Sequence, residues 1–296
     1  MGTTTSSVRL FVHLARRTAK AVVLRRGPSK QVRLIAWNRE DDSFERGQWL
    51  KGRVFEQRSD LSPSGETFIY FASTQRPPFL TYTAISRPPY FTALALWPKG
   101  DTWGGGGLFA DDHRVQLNHP LNQTKLAEGF SLGKRVRVEL LGDRAGAGED
   151  HPIAHLRMLR DGWTLRSEGK RTDYSFERPF KWEYVDTEVY AKHGPKPRRL
   201  RLERHLHGIG ERDGPWYAFS HRVLDEKSGE CLDLGRTDWA DWDRNDDLLF
   251  AREGRLHRVR FGDEPLADGY GRVRAIADFR DDRFEAIAPS LDAQRW

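Results

Sequence analysis

The clearest structural signal in the chain is the stretch DLSPSGETFIYFA, which occupies residues 60–72. Pro63 presets the backbone for a reversal, and Gly65 tolerates the left-handed conformation that many tight turns need. The apolar, ring-rich run at 68–72 that follows is typical of a buried strand. The stretch therefore predicts a strand, a tight turn and a second strand.

The same pattern of short apolar segments separated by turn residues extends along the whole chain. Residues 21–26 and 31–37 have the pattern of two strands joined by the turn at 27–30, and residues 8–14 form a further candidate strand. No segment longer than about ten residues keeps the 3.6-residue apolar period of a helix. The ten Trp, 16 Phe and eight Tyr suit the packing of sheets. We therefore predict an all-β protein, with more than a third of its residues in strands and under a tenth in helices.

Two other segments, residues 97–110 and 242–251, share the order of apolar anchor, polar turn, acid and apolar strand ending in Phe-Ala. Each of them also fits a strand–turn–strand unit. The stretch at 60–72 resembles the inner hairpin of a WD-like β-propeller blade. It departs from that family at Leu61, where an aromatic residue is usual, and at Ser64, where Asp is usual. The resemblance implies a single β-propeller of about five or six blades, each of about 45 residues.

No convincing domain boundary is visible, because Gly and Pro are spread throughout and form no linker. The sequence therefore predicts one all-β domain over residues 1–296, with a core at about 8–288. A large β-sandwich of two packed antiparallel sheets is the alternative fold, since three weak copies do not fix a blade number.

Cys231 is the single cysteine, which favours a reducing, cytoplasmic location. The longest apolar run, 91–97, is much too short to cross a bilayer, so we expect no membrane partner.

The net charge of +6 is unevenly distributed. Residues 1–39 contain nine Lys or Arg and no acidic residue, the first being Glu40. This segment could form a basic patch for nucleic acid or an acidic partner. Because the residues alternate as they do in strands, we favour strands that carry Arg on their solvated face.

Three patterns suggest sites, each with a simpler structural interpretation. Calcium could bind the alternating oxygen ligands Asp241, Asp243, Asn245 and Asp247. Asp246 stands where the calcium loop needs Gly, so an acidic hairpin turn is favoured.

A metal could also bind Glu203, His205 and His207, with His221 as a third nitrogen ligand, although a solvated strand face is favoured. The glycines at 104–107 lack the Gly-Lys-Ser/Thr of a phosphate loop, which favours a kinked hairpin. We assign no catalytic residue, no metal and no cofactor.

A second basic region spans residues 192–212, contains a predicted glycine-containing turn at 208–210 and is followed by Trp216. Arginine beside aromatic residues is typical of interaction surfaces. The candidate partner-binding residues are Trp103, Arg199, Arg201, His207, Arg212 and Trp216. We therefore predict a non-catalytic propeller module that docks a macromolecular partner, above all a protein. The alternatives are a propeller-type hydrolase or lyase acting on a polar substrate such as a carbohydrate, and a nucleic-acid-binding protein that uses its Arg-rich segments.

Overall fold

The computed structural model describes residues 8–27, 30–195, 200–262, 266 and 272–296. The protein is all-β, with 47% of the chain in strands. One α-helix, α1 (His151–Arg160), occurs among the described residues. The predicted all-β class and the strand and helix proportions are confirmed. Contacts divide the chain into two compact units, unit 1 (Met1–Arg157 and Asp282–Trp296) and unit 2 (Met158–Asp281). The single domain stays a prediction.

The first sheet of unit 1 is a four-stranded antiparallel meander. Its strands are β1 (Arg9–Leu14), β2 (Lys20–Arg26), β3 (Gln31–Asn38) and β4 (Ser43–Lys51). The pairing of Ala21 with Trp37 and of Leu24 with Leu34 confirms the predicted hairpin. The turn residues Pro28 and Ser29 lie outside the described residues.

The second sheet of unit 1 contains the stretch at 60–72. Its strands are β5 (Arg53–Val54), β6 (Asp60–Leu61), β7 (Phe68–Ser73), β8 (Thr81–Ser86) and β9 (Ala93–Pro98). Asp60 pairs with Ile69 and Leu61 with Phe68, which confirms the predicted strand–turn–strand unit. Gly65 has a φ of +77° in the turn, as the turn chemistry predicts.

The third sheet of unit 1 consists of β10 (Gly107–Phe109), β11 (Arg114–Leu117) and β12 (Arg137–Leu140). β11 and β12 are parallel, whereas β10 and β11 are antiparallel. The expectation that residues 97–110 form a strand–turn–strand unit is wrong, because β9 pairs with β8 and β10 pairs with β11. Three short 3-10 helices also belong to this unit, Glu56–Arg58, Leu121–Gln123 and Asp292–Gln294.

Three of the nine basic residues at 1–39 are buried, which corrects the expectation of a solvated arginine face at these positions, whereas Arg16, Arg17, Lys20 and Lys30 are exposed. Arg25, Arg33 and Arg39 are 1%, 5% and 5% exposed. Arg39 donates to the carbonyls of Ala19 at 3.1 Å and Thr18 at 2.8 Å. These three cations complete backbone hydrogen bonding inside unit 1 and are not available to a basic surface patch.

Unit 2 contains two sheets. The larger has β13 (Thr164–Ser167), β14 (Lys170–Arg171), β15 (Phe180–His193), β16 (Leu200–Glu211), β17 (Tyr217–Asp225) and β18 (Cys231–Arg236). The smaller has β19 (Trp239–Trp242), β20 (Leu248–Arg252), β21 (Arg255–Val259) and β22 (Val273–Asp278). The hairpin predicted for 242–251 is confirmed. The turn predicted at 208–210 is wrong, because these residues lie inside β16.

Candidate docking surface

A cluster of aromatic side chains lies at the open end of the longest hairpin of unit 2, where β15 begins and β16 ends. The strands β15 and β16 contain 14 and 12 residues. The loop before β15 turns back onto the hairpin, where Ser175 N–H donates to the carbonyl of Lys181 at 2.9 Å and Arg212 N–H donates to that of Pro179 at 2.8 Å. The loop after β16 does the same, since Gly210 N–H donates to the carbonyl of Trp216 at 2.7 Å.

The rings in this region form a continuous chain of contacts. The Tyr174 ring lies edge-on to Phe176 and to Trp182, with both centroid distances at 4.8 Å. The Lys181 ammonium lies 6.0 Å from the Phe176 centroid and 5.1 Å from the Trp216 centroid, which adds the second indole. We call this surface the aromatic tip, defined as Tyr174, Phe176, Lys181, Trp182, Arg212 and Trp216.

Much of the aromatic tip is open to solvent. Phe176 is 74% exposed and Tyr174 is 42% exposed, while Trp182 and Trp216 are half-buried. The Arg212 guanidinium donates from Nη2 to the Phe176 carbonyl at 2.6 Å and so fixes the backbone that carries the most exposed ring. The exposed rings are therefore held by backbone and cation contacts.

Gly208 provides the local reason why the rings sit as they do. A Cβ at this position would lie 2.4 Å from Cγ of Phe180, so only glycine allows that ring to lie flat on β16. Gly210 has a φ of +72°, and a Cβ there would meet Lys181 at 2.8 Å. The two glycines thus allow the strand to pack beneath Phe180 and Lys181.

The charges around the aromatic tip balance. Residues 170–183 and 208–217 contain five basic side chains, Lys170, Arg171, Arg178, Lys181 and Arg212. They also contain five acidic side chains, Asp173, Glu177, Glu183, Glu211 and Asp213. The surface therefore lacks the excess of positive charge that marks a nucleic-acid-binding face.

The structure brings together two of the six predicted partner-binding residues. Arg212 and Trp216 belong to the aromatic tip. Arg201 lies at the far end of β16, which at 3.3 Å per residue is about 33 Å away. Trp103, 59% exposed, belongs to unit 1, and Arg199 lies outside the described residues.

Arg201 is engaged in ion pairs with two carboxylates. Its guanidinium lies 3.0 Å from the Glu203 carboxylate and also pairs with Glu226. Hydrogen bonding from His205, joined by Arg222 and Arg201, lowers the pKa of the Glu203 carboxyl to about 2. Glu203 is 6% exposed, so the face predicted to be solvated contains a buried carboxylate. The guanidinium N–H groups of Arg201 that bind these carboxylates are not available to a partner.

The histidines proposed as metal ligands have separate partners. His205 Nε2 lies 3.1 Å from Glu203, and His207 Nε2 lies 2.7 Å from Ser220 Oγ. His221 is paired with Arg204, not with His205, and so lies on the opposite face of the sheet. The proposed set of three nitrogen ligands is therefore wrong. Among the described residues, no three His, Cys, Asp or Glu side chains are grouped closely enough to hold a metal ion.

The acidic segment at 241–247 forms the hairpin turn that the sequence favours. Arg258, 6% exposed, donates from Nη1 to Asp243 at 2.6 Å and to Asp247 at 2.9 Å. Asn245 donates to Asp247 at 3.1 Å, and Asp241 accepts from Lys192 at 2.6 Å. The oxygens proposed as calcium ligands therefore face protein cations and amide groups.

The glycine-rich loop of unit 1 wraps around a buried arginine. Arg58, 1% exposed, donates to the carbonyls of Thr102 and Gly104 at 2.7 and 2.6 Å. The N–H of Gly105 donates to the Asn118 carbonyl, and that of Gly106 to Thr83 Oγ1, both at 2.7 Å. These amides are used inside the unit, which supports the structural interpretation of the loop.

Sequence reasoning missed Tyr174, Phe176, Lys181 and Trp182. A signal was present, since aromatic residues occupy positions 174, 176, 180 and 182 in an otherwise polar segment. That period of two is typical of one strand face. By composition, the basic residues on the partner strand β16 are a stronger signal than these rings.

Comparisons with known proteins leave the family open. No family model matches the chain, and no curated protein matches it. Among solved structures, the chain is similar to the uncharacterized protein lmo1340 from Listeria monocytogenes EGD-e, at 7% sequence identity and a TM-score of 0.34. The match covers 85% of this chain and 91% of that one. No helix in the described part of the chain has the length and apolar character to span a membrane.

Proposed function

We propose that the chain is a non-catalytic binding module that docks a protein partner through the aromatic tip. The observation that carries this proposal is the continuous chain of ring and cation contacts at the open end of the longest hairpin, in which Tyr174 and Phe176 are exposed. Exposed aromatic clusters of this kind are unusual on surfaces without a partner. Tyr, Trp and Arg side chains also contribute most of the binding energy in protein interfaces.

The balanced charge favours a protein over a nucleic acid. A protein that binds phosphates needs an excess of Lys and Arg at its contact face. The aromatic tip has as many acids as bases around it, and the N-terminal arginines Arg25, Arg33 and Arg39 are buried. The aromatic tip and these three buried arginines therefore give the nucleic-acid alternative no support.

We propose that the fold is a single β-propeller of about five or six blades, with a large β-sandwich of two packed antiparallel sheets as the alternative. Five sheets of three to six strands succeed one another along the chain, which supports about one sheet per blade. The confirmed hairpins at 60–72 and 242–251 support repetition. We also propose a cytoplasmic location, which the single, exposed Cys231 thiol supports.

The docking proposal is tested by removing two exposed rings. The immobilised wild-type protein is used to recover binding partners from nuclease-treated lysate, and the recovery is quantified by mass spectrometry. In the Tyr174→Ala/Phe176→Ala double variant, we expect recovery of the specific partner to fall at least about tenfold, since two interface rings are lost.

Leu121→Ala is the matched control, because Leu121 is an apolar residue of unit 1 that is 76% exposed. This variant should recover the partner at the wild-type level. Far-ultraviolet circular dichroism checks that all three proteins are folded. Equal recovery by the double variant and the control would contradict docking through the aromatic tip.

A further inference from the structure

Arg204 occupies the middle of β16 and faces the interior side of the larger sheet of unit 2. Its direct neighbours across the sheet are Tyr190 on β15 and His221 on β17. Leu202 and Leu206, two positions away on either side, are both buried and share this face. The Arg204 side chain is 14% exposed. The guanidinium thus shares its face with buried leucines, the Tyr190 ring, His221 and Glu188.

Two rings stack against the Arg204 guanidinium. Its Cζ lies 4.8 Å from the Tyr190 centroid and 4.6 Å from the Phe219 centroid. Since β15 and β17 flank β16, the rings approach from opposite sides of the strand. A guanidinium directs its five N–H groups within its own plane, so ring stacking does not use them.

The hydrogen-bonding capacity of Arg204 is largely unmet by the described residues. Nη2 lies 3.5 Å from the Glu188 carboxylate, the upper limit for a hydrogen bond. Nε is buried and has no hydrogen-bond partner there. A buried N–H group without an acceptor is costly, and that cost is recovered if an acceptor binds.

The adjacent histidine does not supply the missing acceptor or compete for an anion as a second cation. His221 is 2% exposed, and its Nδ1 lies 2.6 Å from Thr237 Oγ1. Burial lowers the pKa of His221 well below its usual value, so the ring is neutral at pH 7. The Glu188 side chain is 17% exposed, and its contact with Arg204 is at the upper limit for a hydrogen bond.

We propose that Arg204 anchors a binding site for a planar carboxylate, which displaces Glu188 and accepts two parallel hydrogen bonds from the guanidinium edge. A carboxylate matches the planar fork of arginine better than a spherical anion does. The rings of Tyr190 and Phe219 favour a carboxylate attached to a flat apolar body. This site is separate from the aromatic tip and does not rest on the docking proposal.

The test uses benzoate as the probe and benzamide as its neutral control of the same shape. Binding to the full chain is followed by isothermal titration calorimetry and by the melting temperature, at ionic strength held constant with sodium chloride. We expect benzoate to bind and to raise the melting temperature, and benzamide to do neither. In Arg204→Lys, which keeps the charge but loses the fork, the affinity for benzoate should fall at least about tenfold.

Glu188→Gln tests the same site without touching the arginine. Removing the competing carboxylate should raise the affinity for benzoate several-fold. Arg178→Lys, at an exposed arginine of the neighbouring loop, should leave the affinity unchanged. The proposal is overturned if benzoate binds neither the wild-type protein nor Glu188→Gln, if benzamide binds equally well, or if Arg204→Lys retains the wild-type affinity.

Discussion

At the scale of single residues, His119 shows how burial fixes a protonation state. The residue is fully buried in unit 1, with Nδ1 2.9 Å from the Gln123 carbonyl and Nε2 2.7 Å from Thr83 Oγ1. Thr83 Oγ1 accepts from the Gly106 N–H, so its own proton points to Nε2 of the histidine. The ring is therefore neutral, with its proton on Nδ1, and burial lowers its pKa to about 4.

This arrangement predicts a loss of stability in mild acid. The unfolded chain binds a proton on His119 below about pH 6.5, whereas the folded chain binds it only near pH 4. The free energy of unfolding should therefore fall as the pH drops from 6.5 to 4, by up to about 3 kcal/mol from this residue. Denaturant unfolding at a series of pH values measures the slope.

The variant His119→Gln should reduce that slope by one proton between pH 6.5 and 4. His113→Gln, at an exposed histidine of the same unit, is the control and should leave the slope as it is in the wild type. A slope that is identical in all three proteins would refute the assignment of this transition to His119.

At the scale of elements, the hairpin of β15 and β16 depends on close contact between a ring and bare backbone. Gly208 sits where β16 has a register irregularity, between Leu206 and Gly208, and the Phe180 ring covers it. The twist and spacing at this point place Trp182 within reach of Tyr174. The aromatic tip is therefore a consequence of local strand geometry as well as of ring composition.

We predict that Gly208→Ala destabilises this hairpin. The added Cβ would lie 2.4 Å from Phe180 Cγ, so the ring must move, at a cost of about 1–3 kcal/mol in the free energy of unfolding. Urea denaturation gives the value. In the double variant Gly208→Ala/Phe180→Leu, the loss should be smaller than the sum of the two single losses, because the smaller side chain relieves the clash. Additive losses would show that the contact does not matter.

At the scale of the whole molecule, residues near the two ends of the chain meet in unit 1. Asp282 accepts from Arg33 Nη1 at 3.0 Å and from Arg46 Nε at 3.2 Å, on the first sheet. Its side chain is 9% exposed, and that of Arg33 is 6% exposed. The C-terminal segment is thus tied to strands more than two hundred residues earlier by a buried ion pair.

We expect Asp282→Ala to lower the free energy of unfolding by about 3–5 kcal/mol, because it leaves the buried Arg33 cation without its nearest carboxylate. Asp281→Ala removes an exposed carboxylate one residue earlier and should change the stability by less than about 0.5 kcal/mol. Chemical denaturation of the three proteins provides the comparison. Equal stability of the two variants would mean that the ion pair does not hold this segment.

The charge of the whole molecule predicts how partner binding responds to salt. Although the net charge is +6, the charges around the aromatic tip balance, and Arg25, Arg33 and Arg39 of the N-terminal segment are buried. Partner recovery should therefore survive nuclease treatment and decline only slightly between about 50 and 200 mM salt, where phosphate-binding proteins lose about a thousandfold or more in affinity. Loss of all partners after nuclease treatment would favour the nucleic-acid alternative.

The sequence by itself determined the secondary structure class and the local hairpins. The turn at 62–65, the hairpin at 21–37 and the hairpin at 242–251 follow from turn residues flanked by strand-forming runs. These features depend on interactions between residues close in the chain, so they can be predicted without knowing the tertiary structure. The acidic turn at 241–247 was predictable for the same reason.

Only the tertiary structure decided which of these elements pair and which polar residues are buried. Arg33 looked like a solvated residue because strand alternation says nothing about whether the second face of a sheet is covered, as it is here by Asp282. The aromatic tip joins rings from three separate segments, at 174–176, 182 and 216. The free energy that brings such segments together comes from long-range burial and hydrogen bonding, which local sequence patterns do not encode.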